Sequence, residues 1–520
     1  MLKFLLLSAF FNGLSWIILI PVWQYPDEQA HFAQVQNYAE LGRKVYPPPD
    51  TSQEIILTEK ILGTFRNGFG NNKYTYHPEF NIKYSSTRQG IFEDTIETLP
   101  ISARIEFVKS EATANPPLYY MLGSIFYQIS SSRSIFERVF TVRLFSLGSY
   151  MLLILTAYKI SQVIFKNSKF FQYSFTILVA FMPMLVFSST GILPDVLTNL
   201  LFTLVIFISL LILESGPKLK YLVFVISTII AGSLTRQQFL ISMPIILLAI
   251  VVRFFLEKKA KQIWVFLSFI ALVVLLSTTM PSFWYIRDLS LPEVGKVNLN
   301  LVFSKDFLAD LKVFYLETYN QTFAWYWGVY RWLSLTLPPI SYKIIKIIVL
   351  ISLFGVVIKI TKDVLRRNFK KNLYFYFLIV SSLIYASVVV IWDYYFRLRH
   401  GFPFGIQGRY FLPLVVAHTS ILLIGFWQIS KIILRKYAVF GTLLLAVLMI
   451  IFNDFSLIHV AASYYDTSSI NSFITQASQY KPPFVKGDRI TFILFLNLAL
   501  QLLLIVTLVK YAIKKTKENF

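Results

Sequence analysis

The chain has 520 residues, 56% of them hydrophobic, 17% aromatic and only 15% charged. Soluble proteins carry roughly a quarter of their residues as charges, so a soluble globular domain is excluded. The net charge of +22 does not point to nucleic acid, because the basic residues sit in short clusters between apolar runs, as cytoplasmic loops do. The absence of cysteine removes disulfides, thiolate metal sites and thiol nucleophiles.

In chain order, residues 4–20 form an apolar segment with no small-residue cleavage site before Pro21, which predicts an uncleaved first helix. Further apolar segments begin near Pro116, Val139, Phe170, Val196, Tyr221, Gln237, Gln262, Lys343, Asn372, Tyr410, Tyr437 and Ile490. The runs 170–193, 262–286, 372–392 and 410–430 contain no Asp, Glu, Lys or Arg. About 20 apolar residues suffice for a helix to cross the hydrocarbon core. The expected fold is an all-α polytopic membrane protein with about 12–13 transmembrane segments. Residues 1–520 read as a single transmembrane domain without an internal repeat. Two long polar segments, 23–115 and 287–339, and two shorter ones, 393–409 and 459–489, interrupt the apolar runs. The part of the first between residues 45 and 106 is expected to hold short interfacial helices over the site.

Six short connectors between Lys159 and Glu518, the last of them the basic stretch 510–517, carry 22 basic residues against four acidic ones. Segment 23–115 instead carries 12 acidic and nine basic residues. The positive-inside bias places the connectors in the cytoplasm and the long polar segments outside, in a multi-pass protein of the cell membrane. Thirteen crossings would leave the basic stretch 510–517 on the wrong side. Either 116–130 is too short to cross or 221–252 is miscounted.

Ionisable residues cluster where helices leave the membrane. After the first helix come Pro26, Asp27, Glu28 and His31. If Pro26 opens a helix, Asp27 and His31 share a face, and a partly desolvated carboxylate there suits a general base or a metal ligand. Ordinary helix-start chemistry explains the same residues. Pro194-Asp195 reads on its own as a helix cap. Arg236 is an intramembrane arginine suited to phosphate, or a snorkelling side chain at the interface. Arg287 closes an aromatic belt after Trp284 and Tyr285. Arg397, Arg399, His400, Gln407, Arg409 and Tyr410 make a basic outer patch that calls for an anionic partner such as a lipid phosphate.

The joint pattern resembles the GT-C superfamily of integral membrane glycosyltransferases, in particular the bacterial polytopic branch whose first outer loop begins Pro-Asp-Glu-x-x-His. The resemblance rests on Pro26 to His31, Asn115-Pro116-Pro117-Leu118-Tyr119-Tyr120, Arg143, Pro194-Asp195, Thr235-Arg236, Trp284 to Arg287 and Gln407-Gly408-Arg409-Tyr410. It implies an inverting transfer from a polyprenyl-phosphate sugar donor to a glycan, lipid or polymer acceptor on the extracytoplasmic side. Asp27 maps onto the catalytic base, Glu28 onto its fallback and Asp195 onto a second acid. His31, Arg236, Arg287, Arg399, Gln407, Arg409 and Tyr410 map onto substrate binding. The chain lacks a tandem Asp-x-Asp in its outer loops, which puts an obligatory divalent cation in doubt; Asp27, Glu28 and His31 are the ligands available for one.

Two other readings share these features. One is a transporter or flippase for polyprenyl-linked sugars, which would show paired half-repeats and helices broken at the midplane. The other is a polymerase or ligase for lipid-linked polysaccharide, using a pyrophosphate donor.

Overall fold

The computed structural model describes residues 1–43, 45, 51–65, 82–86, 91–105, 107–108, 115–257, 305–331, 333–400 and 405–518. The first half holds α1 (Leu2–Leu19), α2 (Glu28–Leu41), α3 (Gln53–Leu62), α4 (Ile91–Glu97), α5 (Leu118–Ile129), α6 (Ile135–Ile164), α7 (Lys169–Ala180), α8 (Pro183–Thr190), α9 (Pro194–Ser215), α10 (Leu219–Ser233) and α11 (Ser242–Leu256). The second half holds α12 (Lys305–Trp327), α13 (Pro339–Leu365), α14 (Leu373–His400), α15 (Val415–Ile433), α16 (Ala438–Tyr464), α17 (Ile470–Ser478) and α18 (Asp488–Glu518). Two antiparallel pairs of two-residue strands complete it: β1 (Thr51–Ser52) with β2 (Phe107–Val108), and β3 (Val329–Tyr330) with β4 (Leu335–Thr336).

Among the described residues, nine helical segments are long and apolar enough to cross a membrane, or ten if the bent pair α7 and α8 is one span. The protein is an all-α polytopic membrane protein. Large apolar side chains such as Phe354, Leu383 and Phe495 stand exposed on the outer helix faces, where lipid is the solvent. Each expected apolar run within the described residues is helical; the run 262–286 lies outside them.

Local chemistry explains the breaks. α1 ends ahead of Pro21, with Ile20 extended, because a residue preceding proline is pushed out of the helical region. The uncharged run from Phe170 is not one rod. Pro183 has no N–H to continue the ladder, and the axis turns by 57° between α7 and α8. α5 has 12 residues, about 18 Å at the helical rise, too short to cross. α13 and α15 meet backbone to backbone: a Cβ on Gly355 would lie 1.9 Å from the carbonyl oxygen of Gly425. Close contact of this kind is how helices associate in lipid, where burial of apolar surface supplies no drive.

The segment after α1 folds back over the helix ends. Arg138 of α6 is buried and pairs with Glu54 of α3, while Arg104 stands 3.7 Å from Glu54 and 3.4 Å from Glu40. From the other end of the chain, Gln479 bonds the backbone N and O of Ser85 at 2.9 Å each, and Lys486 pairs with Glu93.

Candidate functional site

The site is built on one buried anchor. Glu28 is fully buried, and its two oxygens take four donors: Arg143 Nε at 2.8 Å, Arg143 Nη2 at 2.6 Å, the Trp23 N–H at 3.0 Å and the Ile192 N–H at 3.4 Å. Arg143, from α6, also donates to the carbonyls of Ile17, Ile20 and Pro21 at 3.2, 2.8 and 2.9 Å. It thereby satisfies one open carbonyl in the last turn of α1 and two in the residues that follow it. The turn from α1 into α2 is thus fixed by a side chain 115 residues away from Glu28.

Asp27 rides on that anchor. It is the N-cap of α2, not part of it, and sits in the left-handed region at φ 57°. The expected helix opening at Pro26 therefore falls two residues later, at Glu28. Asp27 instead accepts the His31 N–H on its backbone carbonyl at 3.0 Å. Strained backbone of this kind is concentrated at functional sites. Its side chain keeps 43% of its exposure, in a setting where Glu28 keeps none.

Facing it are one acid and two arginines from three separate helix ends. Pro194 opens α9, yet Asp195 does not cap it: Leu193 holds the cap position, and no side-chain cap bond is made. Asp195 instead pairs with Arg236, beyond α10, at 2.6 Å. Arg409 Nε lies 3.9 Å from Asp195, and Arg409 Nη2 lies 3.9 Å from Asp27. Arg409 is buried, and its Nε and Nη1 have no hydrogen-bond partner. A buried guanidinium with unused donors fits an incoming anion.

The turn Gly408–Leu414 holds Arg409 in place. A Cβ on Gly408 would sit 2.0 Å from the Tyr326 nitrogen of α12, so only glycine permits this approach. The Tyr410 carbonyl accepts from Tyr385 at 2.8 Å and Gln238 at 3.2 Å, and the Tyr410 ring lies 5.8 Å from the Arg409 guanidinium. Gln407 Oε1 is buried without a hydrogen-bond partner. Beside this turn opens an apolar cavity of about 400 Å³, lined by Ile406 and Phe411 together with Tyr326, Leu353, Val390 and Leu422.

His31 lies against Tyr120, with Nδ1 2.8 Å from the hydroxyl and the rings stacked at 5.9 Å. Burial lowers its pKa to about 4, so the imidazole is neutral at physiological pH. Asp27, Asp195, Arg236 and Arg409 all act on it electrostatically, which marks them as one cluster. Arg287 lies outside the described residues. Arg399 belongs to the last turn of α14, but its side chain lies outside them too. Arg143, Tyr120, Tyr385 and Gln238 complete the surroundings; of these, the motifs contain Arg143 and Tyr120, without their roles.

Among the described residues, no three His, Asp or Glu side chains converge as a cation site. The carboxylates of the described cluster do not by themselves make a divalent-cation site. Glu28 is consumed by Arg143, and both remaining carboxylates have Arg409 within 4 Å.

Fold and spans define a polytopic membrane protein with an acid–arginine cluster at its helix ends. The chain belongs to the family described as "Predicted membrane protein (DUF2142)", whose model matches residues 10–418. No curated protein matches it. Among solved structures it is similar to the oligosaccharyltransferase AglB of Archaeoglobus fulgidus in complex with an inhibitory peptide and a dolichol-phosphate. That match has 13% identity and a TM-score of 0.45, over 89% of this chain and 56% of that one. It is also similar to an Archaeoglobus fulgidus oligosaccharyltransferase in the apo form, at 14% identity and a TM-score of 0.41, over 92% and 55% of the two chains. The chain spans about half the length of these structures.

Proposed function

We propose that the protein is a membrane glycosyltransferase of the GT-C type, moving a sugar from a polyprenyl-phosphate donor to an acceptor hydroxyl at the extracytoplasmic face. The observation that carries this reading is the half-exposed Asp27 carboxylate, 3.9 Å from a buried arginine with unused donors. Asp27 takes the proton of the acceptor hydroxyl as its oxygen bonds to the anomeric carbon. The bond from that carbon to the phosphate oxygen breaks on the opposite face, and its electron pair stays with the phosphate. Arg409 and Arg236 stabilise that charge, a contribution of about 2.7–4 kcal/mol for a single preorganised donor. Asp195 sets the position of both arginines, and Glu28 holds the turn that presents Asp27. The apolar cavity beside the Arg409 turn supports a donor with a hydrocarbon tail.

The distribution of basic residues supports this face. With α5 left short of the bilayer, the remaining apolar runs, including 262–286, number twelve. If each of these twelve runs crosses, every basic connector falls on one side and Asp27, Asp195, Arg236 and Arg409 on the other, in keeping with the positive-inside bias. The sugar's configuration at the anomeric carbon tests the mechanism. NMR of the product should show inversion; retention would require a covalent sugar–enzyme step and would overturn the single displacement.

A further inference from the structure

At the end of α6 and α9 remote from Asp27 and Asp195 lies a second cavity, of about 720 Å³. Asp195 and Glu214 sit near opposite ends of α9, about 28 Å apart at the helical rise. Five cations line the cavity: Lys166 after α6, Arg253 of α11, Lys370 and Lys371 of the turn before α14, and Lys515 of α18. Its one acid is Glu214, which is already paired with Lys166 at 2.5 Å. Arg253 is held by Glu257 at 2.6 Å and by the Leu213 and Glu214 carbonyls at 3.0 and 3.2 Å. Lys370 and Lys371, exposed on a short turn before α14, have no carboxylate partner among the described residues.

We propose that this cavity binds the headgroup of an anionic phospholipid. Cations from four helix ends converge on one space; Lys166 and Arg253 already have acids, whereas Lys370 and Lys371 have none among the described residues, so a phosphate there would supply the missing charge. The walls separate a lipid from a soluble anion. Leu213, Leu256, Phe171 and Leu373 line the same cavity, and Leu256 is 37% exposed, where acyl chains would pass. Basic pockets between transmembrane helices on the cytoplasmic side bind phosphorylated headgroups in this way. The cavity shares no residue with the acid–arginine cluster, so the inference goes beyond the glycosyl-transfer reading and stands apart from it.

The test uses the full chain purified in detergent and native mass spectrometry. It is titrated separately with phosphatidylglycerol, phosphatidylcholine and inorganic phosphate. Phosphatidylglycerol should be retained in preference to phosphatidylcholine. The double variant Lys370→Gln/Lys371→Gln should bind it about thirtyfold more weakly, as expected for two surface charges. The control Lys343→Gln/Lys346→Gln, two exposed lysines of α13 away from the cavity, should bind it as wild type does. Equal retention of both lipids, an unchanged affinity in the first variant, or an equal loss in the control would overturn the proposal. Binding of inorganic phosphate without lipid would overturn it as well, assigning the cavity to a soluble anion.

Discussion

The guanidinium of Arg409 and the carboxylate of Asp27 stand 3.9 Å apart, within electrostatic reach and beyond hydrogen-bonding distance. Arg143 and Glu28, one residue along the chain, close to 2.6 Å and are sealed from solvent. The closed pair fixes a turn, whereas the open pair, not drawn into direct contact, is the one to which the proposed reaction assigns its base and its phosphate-binding arginine.

Arg409→Gln should lower turnover by about a hundred- to a thousandfold, the range for losing one preorganised donor. Arg409→Lys should recover only part of this, because an ammonium cannot reproduce the planar fork. Steady-state kinetics with saturating acceptor separates these variants, and wild-type turnover in Arg409→Gln would remove this residue from the mechanism.

Glu28→Gln should act on the fold. Removing one charge of a buried pair costs about 3–5 kcal/mol, because the partner is left uncompensated. Arg143 would keep its charge while losing Glu28's, so the melting midpoint in detergent should drop sharply. Asp27→Asn, at a half-exposed position, should change stability by about 0.5 kcal/mol or less. Equal melting of Glu28→Gln and wild type would contradict the anchoring role.

His31 gives a pH dependence with a defined sign. Burial lowers its pKa from 6.5 to about 4; Arg236 and Arg409 add to that, and Asp27 and Asp195 oppose it. Between these values the unfolded chain holds a proton that the folded chain does not. Acidification from pH 6.5 toward 4 therefore destabilises the fold, and this contribution is constant above 6.5. Melting midpoints across pH 4–7 should fall less steeply in His31→Gln than in wild type; an unchanged slope would mean that His31 titrates normally.

Most of the helices were legible because lipid-exposed spans announce themselves as long uncharged runs. The cluster was legible in part, since Asp27, Asp195, Arg236 and Arg409 are charges at the ends of such runs, where a charge is costly and stands out. Their pairing was not. Asp195 looks like a helix cap until Arg236 is seen 2.6 Å away. Glu28 and Asp27 look interchangeable, and only Arg143, from a helix more than a hundred residues on, separates an anchored acid from an exposed one. The bend at Pro183 was hidden because the run around it is apolar throughout, and α5 gave itself away only by length.

The central claim is that Asp27 is the base of a glycosyl transfer. Purified protein and Asp27→Asn should be compared in transfer of label from a radiolabelled polyprenyl-phosphate sugar mixture to cell-envelope acceptors. The account predicts transfer by wild type, and loss of transfer with retained donor binding in the variant. Donor binding or translocation without transfer, equal in both proteins, would contradict it and leave a carrier of lipid-linked sugars.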